Sequence, residues 1–482
     1  MIVVICGLVP LVGAMLVLLP VCKGRNASRL LVLVGLVNLI LTGIAAFGRT
    51  RGDSEFFLSR YFVLDATSLL FLSVISMVFF GITIYIYHRI TAGLMPEAFE
   101  GFIARVMAFA SASVFSVLSN HLIVMWVFLE LGTLAIAPLI GYARGKEGLA
   151  AAWKYLLFSI VGLGFNFLGL MCICRAIGGT HDEQSVSLFI DTLTNISSLG
   201  ETMWWELGLA FMVFGLGTKL GLAPMYAWLP DAYDNAPPSI TALLSAVQFN
   251  CVVLCLFREI AIFKSFDPTL VSEELIVMGV LSLVVAAMNI VTTDNYKRLI
   301  AYASLNHAGT IAIGLGVGKT AAYGVVLYVV SNAFVKALLF LTCGNIKAHF
   351  GTKKISALRG IIREMPFSGL AFMLGVFALL GFAPFGSFLG EVLMLSSMIE
   401  GWYILLFFLI CIILTVVLVA SGRALFPIIW GDTTDEASKK SEPWLSNVPS
   451  ILFIAVLVSL GIFTPEPVTA LLQEVATALS GR

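Results

Sequence analysis

Ile404-Leu-Leu-Phe-Phe-Leu-Ile-Cys-Ile-Ile-Leu-Thr-Val-Val-Leu-Val-Ala420 carries no charge along its length, and the run from Ile2 to Pro20 reads the same way. Neither alternates polar with apolar residues, so neither is a strand of a membrane barrel; a helix needs roughly 20 mostly apolar residues to cross lipid. Backbone amides in hydrocarbon must be satisfied within their own segment, which leaves the helix. The remainder of the chain agrees: 60 % of its 482 residues are apolar and 12 % are charged, about half the charged share of a soluble protein. These proportions exclude a soluble globular protein and predict an all-α integral membrane fold.

Apolar windows between charge and turn clusters give about 14 transmembrane helices: 2–21, 29–48, 66–87, 102–119, 121–142, 150–175, 203–224, 237–262, 272–293, 299–317, 320–345, 366–397, 401–422 and 446–464. The first run lacks the basic start and small-residue cleavage site of a signal peptide and is read as a retained span. Odd-numbered loops carry about twice as many Lys and Arg as even-numbered ones, which predicts both termini outside. The longest loop, 176–202, includes an Asn195-Ile196-Ser197 sequon, relevant only if it meets a glycosylating compartment. Zero formal net charge and no long basic run argue against a nucleic-acid partner. The eight cysteines lie mostly in apolar runs without metal-ligand spacing, so they read as small buried hydrophobes and no metal site is expected.

Five ionisable side chains interrupt the apolar runs: Glu130, Lys154, Lys219, Lys336 and Glu391. Each costs a few kcal/mol or more at membrane depth unless paired or hydrated, so all must face the bundle interior. Fixed Glu/Lys pairs that pin helices together would not need five groups on five helices, and a hydrated proton relay accounts for more. A buried Lys or Glu has its charged form disfavoured and a neighbouring opposite charge restores it, so protonation at one site switches its neighbour. Bridging groups are Ser245, Gln248 and Asn250 on span eight, His307 on span ten, and Tyr328, Ser331 and Asn332 on span eleven. His307 titrates near neutrality without perturbation and is the candidate connector, its other reading being a neutral hydrogen-bond donor. His88, His121, His181 and His349 lie at span ends or in loops and read as structural.

Leu220-Gly-Leu-Ala-Pro224 recurs as Leu380-Gly-Phe-Ala-Pro384, and Lys154-Tyr-Leu-Leu-Phe158 as Lys336-Ala-Leu-Leu-Phe340. Each match joins spans five apart, an odd separation that reverses the direction of crossing and predicts two inverted five-helix repeats. The organisation is then an N-terminal three-helix unit (1–101), a first repeat (102–262, spans 4–8), a second (263–422, spans 9–13), and a C-terminal span with its tail (423–482). Pro224, Pro237 and Pro384 are expected to break helices 7, 8 and 12, which lipid tolerates where the break lines a wet cavity. Taken singly, each also fits an ordinary kink.

The segments Gly217-Thr-Lys-Leu-Gly-Leu-Ala-Pro-Met-Tyr-Ala-Trp-Leu-Pro-Asp231, Lys297-Arg-Leu-Ile-Ala-Tyr-Ala-Ser304, Asn120-His-Leu-Ile-Val-Met-Trp126 and Ala151-Ala-Trp-Lys-Tyr155 resemble the antiporter-like membrane subunits of respiratory complex I, Mrp-type antiporters and membrane-bound hydrogenases. The wording is most similar to the F subunit of hydrogenase-4 and formate hydrogenlyase. The resemblance implies that Glu130 and Lys219 form an input pair, that His307 and Lys336 carry the central relay, and that Glu391 is the outlet. It gives Asp65 and Tyr87 less defined roles near the third span. Three features depart from the family: Ser245 stands where a His or Lys is common, Tyr328 and Asn332 replace paired histidines, and the chain stops soon after span fourteen. The central relay would then depend on ordered water with His307 and Lys336.

The expected function is a proton-translocating subunit of a redox-driven complex of the membrane-bound hydrogenase or NADH/quinone dehydrogenase type. The expected partners are other membrane subunits, a peripheral electron-transfer module, protons or Na+, and the lipid of a prokaryotic cytoplasmic membrane. No cofactor is expected on this chain: it has no iron-sulfur Cys cluster, no dinucleotide glycine fingerprint and no haem-type His pair in the spans. Redox catalysis by the chain alone is therefore not expected. The alternative is a subunit of, or a stand-alone, Mrp-type cation/proton antiporter.

Overall fold

A computed structural model describes residues 2–19, 22–95, 99–142, 145–178, 187–195, 202–263, 268–432 and 442–480. His181 and residues 196–197 of the sequon lie outside them. The described residues are helical apart from loops and one small hairpin, β1 (Glu55–Phe57) antiparallel to β2 (Phe62–Leu64), in the loop between the second and third long helices.

The first half contains α1 (Ile2–Val17), α2 (Arg25–Gly48), α3 (Ala66–Thr91), α4 (Glu100–Leu118), α5 (Leu122–Ile140), α6 (Gly145–Gly178), α7 (Ile190–Leu193), α8 (Thr202–Leu220), α9 (Trp228–Asn235), α10 (Pro238–Ala242) and α11 (Phe249–Phe263). The second contains α12 (Pro268–Thr292), α13 (Tyr296–Val317), α14 (Ala322–Phe350), α15 (Ile361–Glu364), α16 (Pro366–Leu379), α17 (Gly386–Glu400), α18 (Ile404–Trp430), α19 (Trp444–Ile462) and α20 (Glu466–Ser480). Among the described residues 11 helices are long and apolar enough to cross a membrane, and α1 and α16 are shorter apolar helices.

Helices that are apolar all round divide into lipid-facing and central ones. On α18 only 22 % of the most apolar window is buried, and Leu405, Phe408 and Ile412 are exposed. In α14 and in the stretch Pro238–Ile262 the corresponding windows are wholly buried, and α13 nearly so. These three rods are the centre of the molecule, and they carry most of the candidate polar residues.

The repeated Leu-Gly-x-Ala-Pro motif is a helix stop. Gly221 and Gly381 take left-handed backbone angles (φ 81° and 69°), which glycine adopts without Cβ strain. At the first stop, Leu222 N–H donates to Gly217 O (2.8 Å) and Gly221 N–H to Thr218 O (3.1 Å). At the second, Phe382 N–H donates to Phe377 O (3.0 Å) and Gly381 N–H to Ala378 O (3.4 Å). This six-to-one plus five-to-two pattern is the Schellman closure, which satisfies carbonyls left over at a helix end. The Ala–Pro bond after each stop is cis. The helix resumes at Trp228 in one case and Gly386 in the other. Span eight behaves differently from expectation. Pro237-Pro238 starts this rod without dividing it, because proline at the first helical position removes only an amide that would be orphaned anyway. Its irregularity comes later, as a π-helical segment at Leu243–Gln248.

Helices α6 and α8 approach through paired glycines. A Cβ placed on Gly215 would stand 2.5 Å from Gly162 O, and one on Gly169 would stand 2.6 Å from Gly208 O. Small residues let backbones close on one another where lipid supplies no hydrophobic drive. Gly215→Leu should therefore lower stability by about 1–3 kcal/mol through overpacking, seen as a fall in the melting temperature of the detergent-solubilised protein; an unchanged melting temperature would contradict this contact.

Candidate proton path

On α14 the residues Tyr328, Asn332 and Lys336 recur every fourth position and so share one face of the rod. Lys336 is fully buried; its Nζ has no hydrogen-bond partner and lies 3.6 Å from the centroid of the Phe249 ring. That ring face offers a cation–π contact in place of a hydrogen bond. One turn away, neither side-chain polar atom of Asn332 has a partner. A further turn along, Tyr328 Oη and His307 Nδ1 of α13 are joined at 2.5 Å. Ser331 turns aside and donates to Leu327 O (2.8 Å).

The other half of the site forms around α8. Lys219 Nζ donates to Thr133 Oγ1 of α5 and sits 5.5 Å from the centroid of the Tyr155 ring of α6. Tyr155 Oη in turn donates to Gln248 Oε1 (2.8 Å), on the π-helical segment. Gln248 Nε2 and Asn250 Oδ1 are buried without partners, whereas Ser245 donates to Ala242 O (3.4 Å) of its own helix. No ion pair joins Lys219 directly to Glu130. Glu130 is half-buried one turn before Thr133, and its Oε2 is enclosed and unpartnered. Glu391 lies at the second helix stop, where a Cβ on Gly381 would stand 2.5 Å from its Oε2.

Lys154 is placed elsewhere. It pairs with Asp231 (2.6 Å), which also takes Arg298, and its side chain is 39 % exposed. An ammonium two to three turns into α6 thus meets a carboxylate and open space, avoiding the cost of bare burial. This cluster lines a cavity of about 970 Å³ together with Tyr85, Arg89, Asp234 and Lys353. Asp234 ion-pairs with Lys353, and Lys297 donates to the backbone oxygens of Asp234 and Ala236. Burial alone would push the Asp234 carboxyl up, but the hydrogen bond from Lys353 and the charges of Lys353 and Lys297 hold it below its usual range.

A second cavity, of about 830 Å³, is lined by Asp65, Thr67, Asn120, Arg258, Ser272 and Leu479 among others. The two cavities lie at opposite ends of α3: Tyr85 and Arg89 reach the first, while Asp65 and Thr67 reach the second. At 1.5 Å per residue they are separated by roughly 30 Å, about the thickness of a hydrocarbon core. Asp65 caps α3, accepting from Ser68 N–H (2.7 Å), and lies 3.7 Å from Arg258.

Thr133, Tyr155 and Phe249 were not among the residues singled out from the sequence. A neutral hydroxyl or ring inside an apolar run gives no signal of depth, and only the packing shows what it touches. Glu259 was missed as well: it is fully buried on α11, but it falls near a span end and reads there as a flanking charge.

Residues 119–417, more than half of the chain, match the family described as NADH:quinone oxidoreductase/Mrp antiporter, TM. The chain is 28 % identical over 344 residues to a hydrogenase-4 component F homolog of Methylacidiphilum infernorum, covering 70 % of this chain and 72 % of that one. Its fold is similar to a chain of an archaeal membrane-bound sulfane sulfur reductase (TM-score 0.88, 21 % identity, 99 % and 97 % of the two chains). It is also similar to a chain of the Mrp complex of Dietzia sp. DQ12-45-1b (TM-score 0.87, 18 % identity, 99 % and 97 %). The chain is therefore an integral membrane protein and belongs to the NADH:quinone oxidoreductase/Mrp antiporter transmembrane family.

Proposed function

We propose that this chain is the proton-translocating subunit of a larger redox-driven membrane complex, moving protons along Glu130, Lys219, His307, Lys336 and Glu391. One observation carries the reading: side chains with unpartnered polar atoms sit on the buried central rods, between two cavities at opposite ends of the bundle. Buried polar atoms without protein partners call for water. Water joining Gln248, Asn250, Asn332 and Lys336 links the Lys219 cluster to the Tyr328–His307 pair. Glu391, beside the backbone of the second helix stop, is the release group.

The loops around the first cavity are the Lys- and Arg-rich ones of the fourteen-span parse, so this cavity takes the cytoplasmic side of a prokaryotic membrane and both termini lie outside. The matching Schellman stops at Gly221 and Gly381 support two inverted five-helix units, spans 4–8 and 9–13. The relative named hydrogenase-4 component F homolog favours a hydrogenase-type assembly, with other membrane subunits and a peripheral electron-transfer module as partners. The likeness to a chain of an Mrp complex keeps cation/proton antiport as the second reading.

Lys219→Ala in the assembled complex should abolish proton uptake into inverted membrane vesicles while the subunits still co-purify, and normal uptake would overturn the input role. Repeating the assay under an imposed sodium gradient separates the readings, since proton movement driven by that gradient alone would favour antiport. Tyr328→Phe leaves the His307 ring nitrogen without its partner, at a cost of about 1–3 kcal/mol. It should slow proton uptake several-fold, whereas a rate equal to the parent's would remove the pair from the path.

A further inference from the structure

Glu259 takes no part in the path above, yet no buried carboxylate in the described chain is more enclosed. It is 0 % exposed on α11. One oxygen, Oε1, accepts from Asn166 Nδ2 of α6 (2.8 Å), and the other, Oε2, has no partner. Among the described residues nothing cationic is bonded to it. The adjacent Arg258 points away, donating to Ser68 Oγ (2.5 Å) and Val117 O (3.2 Å) and lying 3.7 Å from Asp65. Cys255, one turn earlier, lies 3.8 Å from Ser116 Oγ. A buried carboxyl with one oxygen bonded and the other free has room to take up a proton and to pass it on. If the role were only to hold Asn166, an amide would serve as well.

Its surroundings lead in two directions. Phe257, Arg258, Ile260 and Ala261, on the same turn of α11, line the second cavity. On the other side, α6 carries a polar stripe of Tyr155, Ser159 and Asn166, all buried at helical spacing. Ser159 Oγ is buried without a hydrogen-bond partner, and Tyr155 is the residue that joins Lys219 to Gln248. The stripe therefore runs from the Lys219 cluster to the carboxyl beside the second cavity.

We infer that Glu259, positioned by Asn166, is a further proton-carrying site that connects the Lys219 cluster to the second cavity through the first half of the molecule. Glu391 is then one of two ways out. In the step itself, ionised Glu259 takes a proton from a hydronium on the α6 side, leaving water and the neutral acid, and gives the proton to water of the second cavity, which regenerates the carboxylate. The inference rests on the proton-translocating reading, and its test distinguishes the two.

Glu259→Gln keeps an oxygen for Asn166 and removes the exchangeable proton. In vesicles bearing the assembled complex it should lower proton uptake several-fold, with Glu259→Asp recovering part of the loss and Lys219→Ala measured alongside. Loss in Lys219→Ala with full uptake in Glu259→Gln would overturn the Glu259 site alone; full uptake in Lys219→Ala would overturn the proton-translocating reading beneath it. Should Glu259→Gln not assemble, the parent complex treated with dicyclohexylcarbodiimide, which reacts with protonated buried carboxyls, decides the matter. A mass-spectrometric adduct on Glu259 is expected, and its absence would overturn the inference.

Discussion

Hydrocarbon forms no hydrogen bonds, and this single fact orders the molecule. Every polar group at depth has to find its partner inside the protein, so the helices with the most chemistry on them are the ones furthest from lipid. α14 is wholly buried in its most apolar window and carries Tyr328, Asn332 and Lys336, whereas α18 faces outward with Leu405, Phe408 and Ile412. Lys219 and Lys336 survive burial by different means, one through the Thr133 hydroxyl and one through the face of Phe249. Neither is neutralised by a direct ion pair among the described residues. Each ammonium is thus held by weak partners, which is what a group must have if it is to give its proton away.

The same constraint governs where a helix can stop. An ended helix exposes carbonyls and amides, and the two Leu-Gly-x-Ala-Pro stops close theirs with identical backbone bonds. What remains beyond each stop is short irregular backbone leading to a carboxylate at the same interval: Asp231 follows Pro224 by as many residues as Glu391 follows Pro384. One of these acids sits in an open cavity with Lys154 and Arg298, and the other lies against Gly381 with no cation paired to it among the described residues. Similar local structure has been put to two electrostatic uses.

The helical membrane fold was legible because an apolar run without alternation has few other solutions, and charges inside such runs are conspicuous. Lys219, His307 and Lys336 stood out for that reason, and the structure buries all three. Lys154 carried the same signal but lies partly exposed beside Asp231, because a sequence window cannot tell a deep turn from one that opens on a cavity. The reverse failure hid Glu259, whose place near a span end suggested the surface. Thr133, Tyr155 and Phe249 were invisible for a third reason, being neutral residues whose importance is entirely a matter of what stands opposite. The small hairpin and the π-helical segment also left no periodic trace, since three-residue strands and one displaced turn are shorter than any window that detects them.

The unbroken length of α14 has a mechanical meaning. From Ala322 to Phe350 it is one stiff strut, and it touches both the π-helical segment and α17. A twist of that strut large enough to lift the Lys336 ammonium off its aromatic seat also swings the Tyr328 hydroxyl away from the imidazole two turns along. The Lys336–Phe249 contact and the Tyr328–His307 bond are thus mechanically linked, since one rotation of α14 would disturb both.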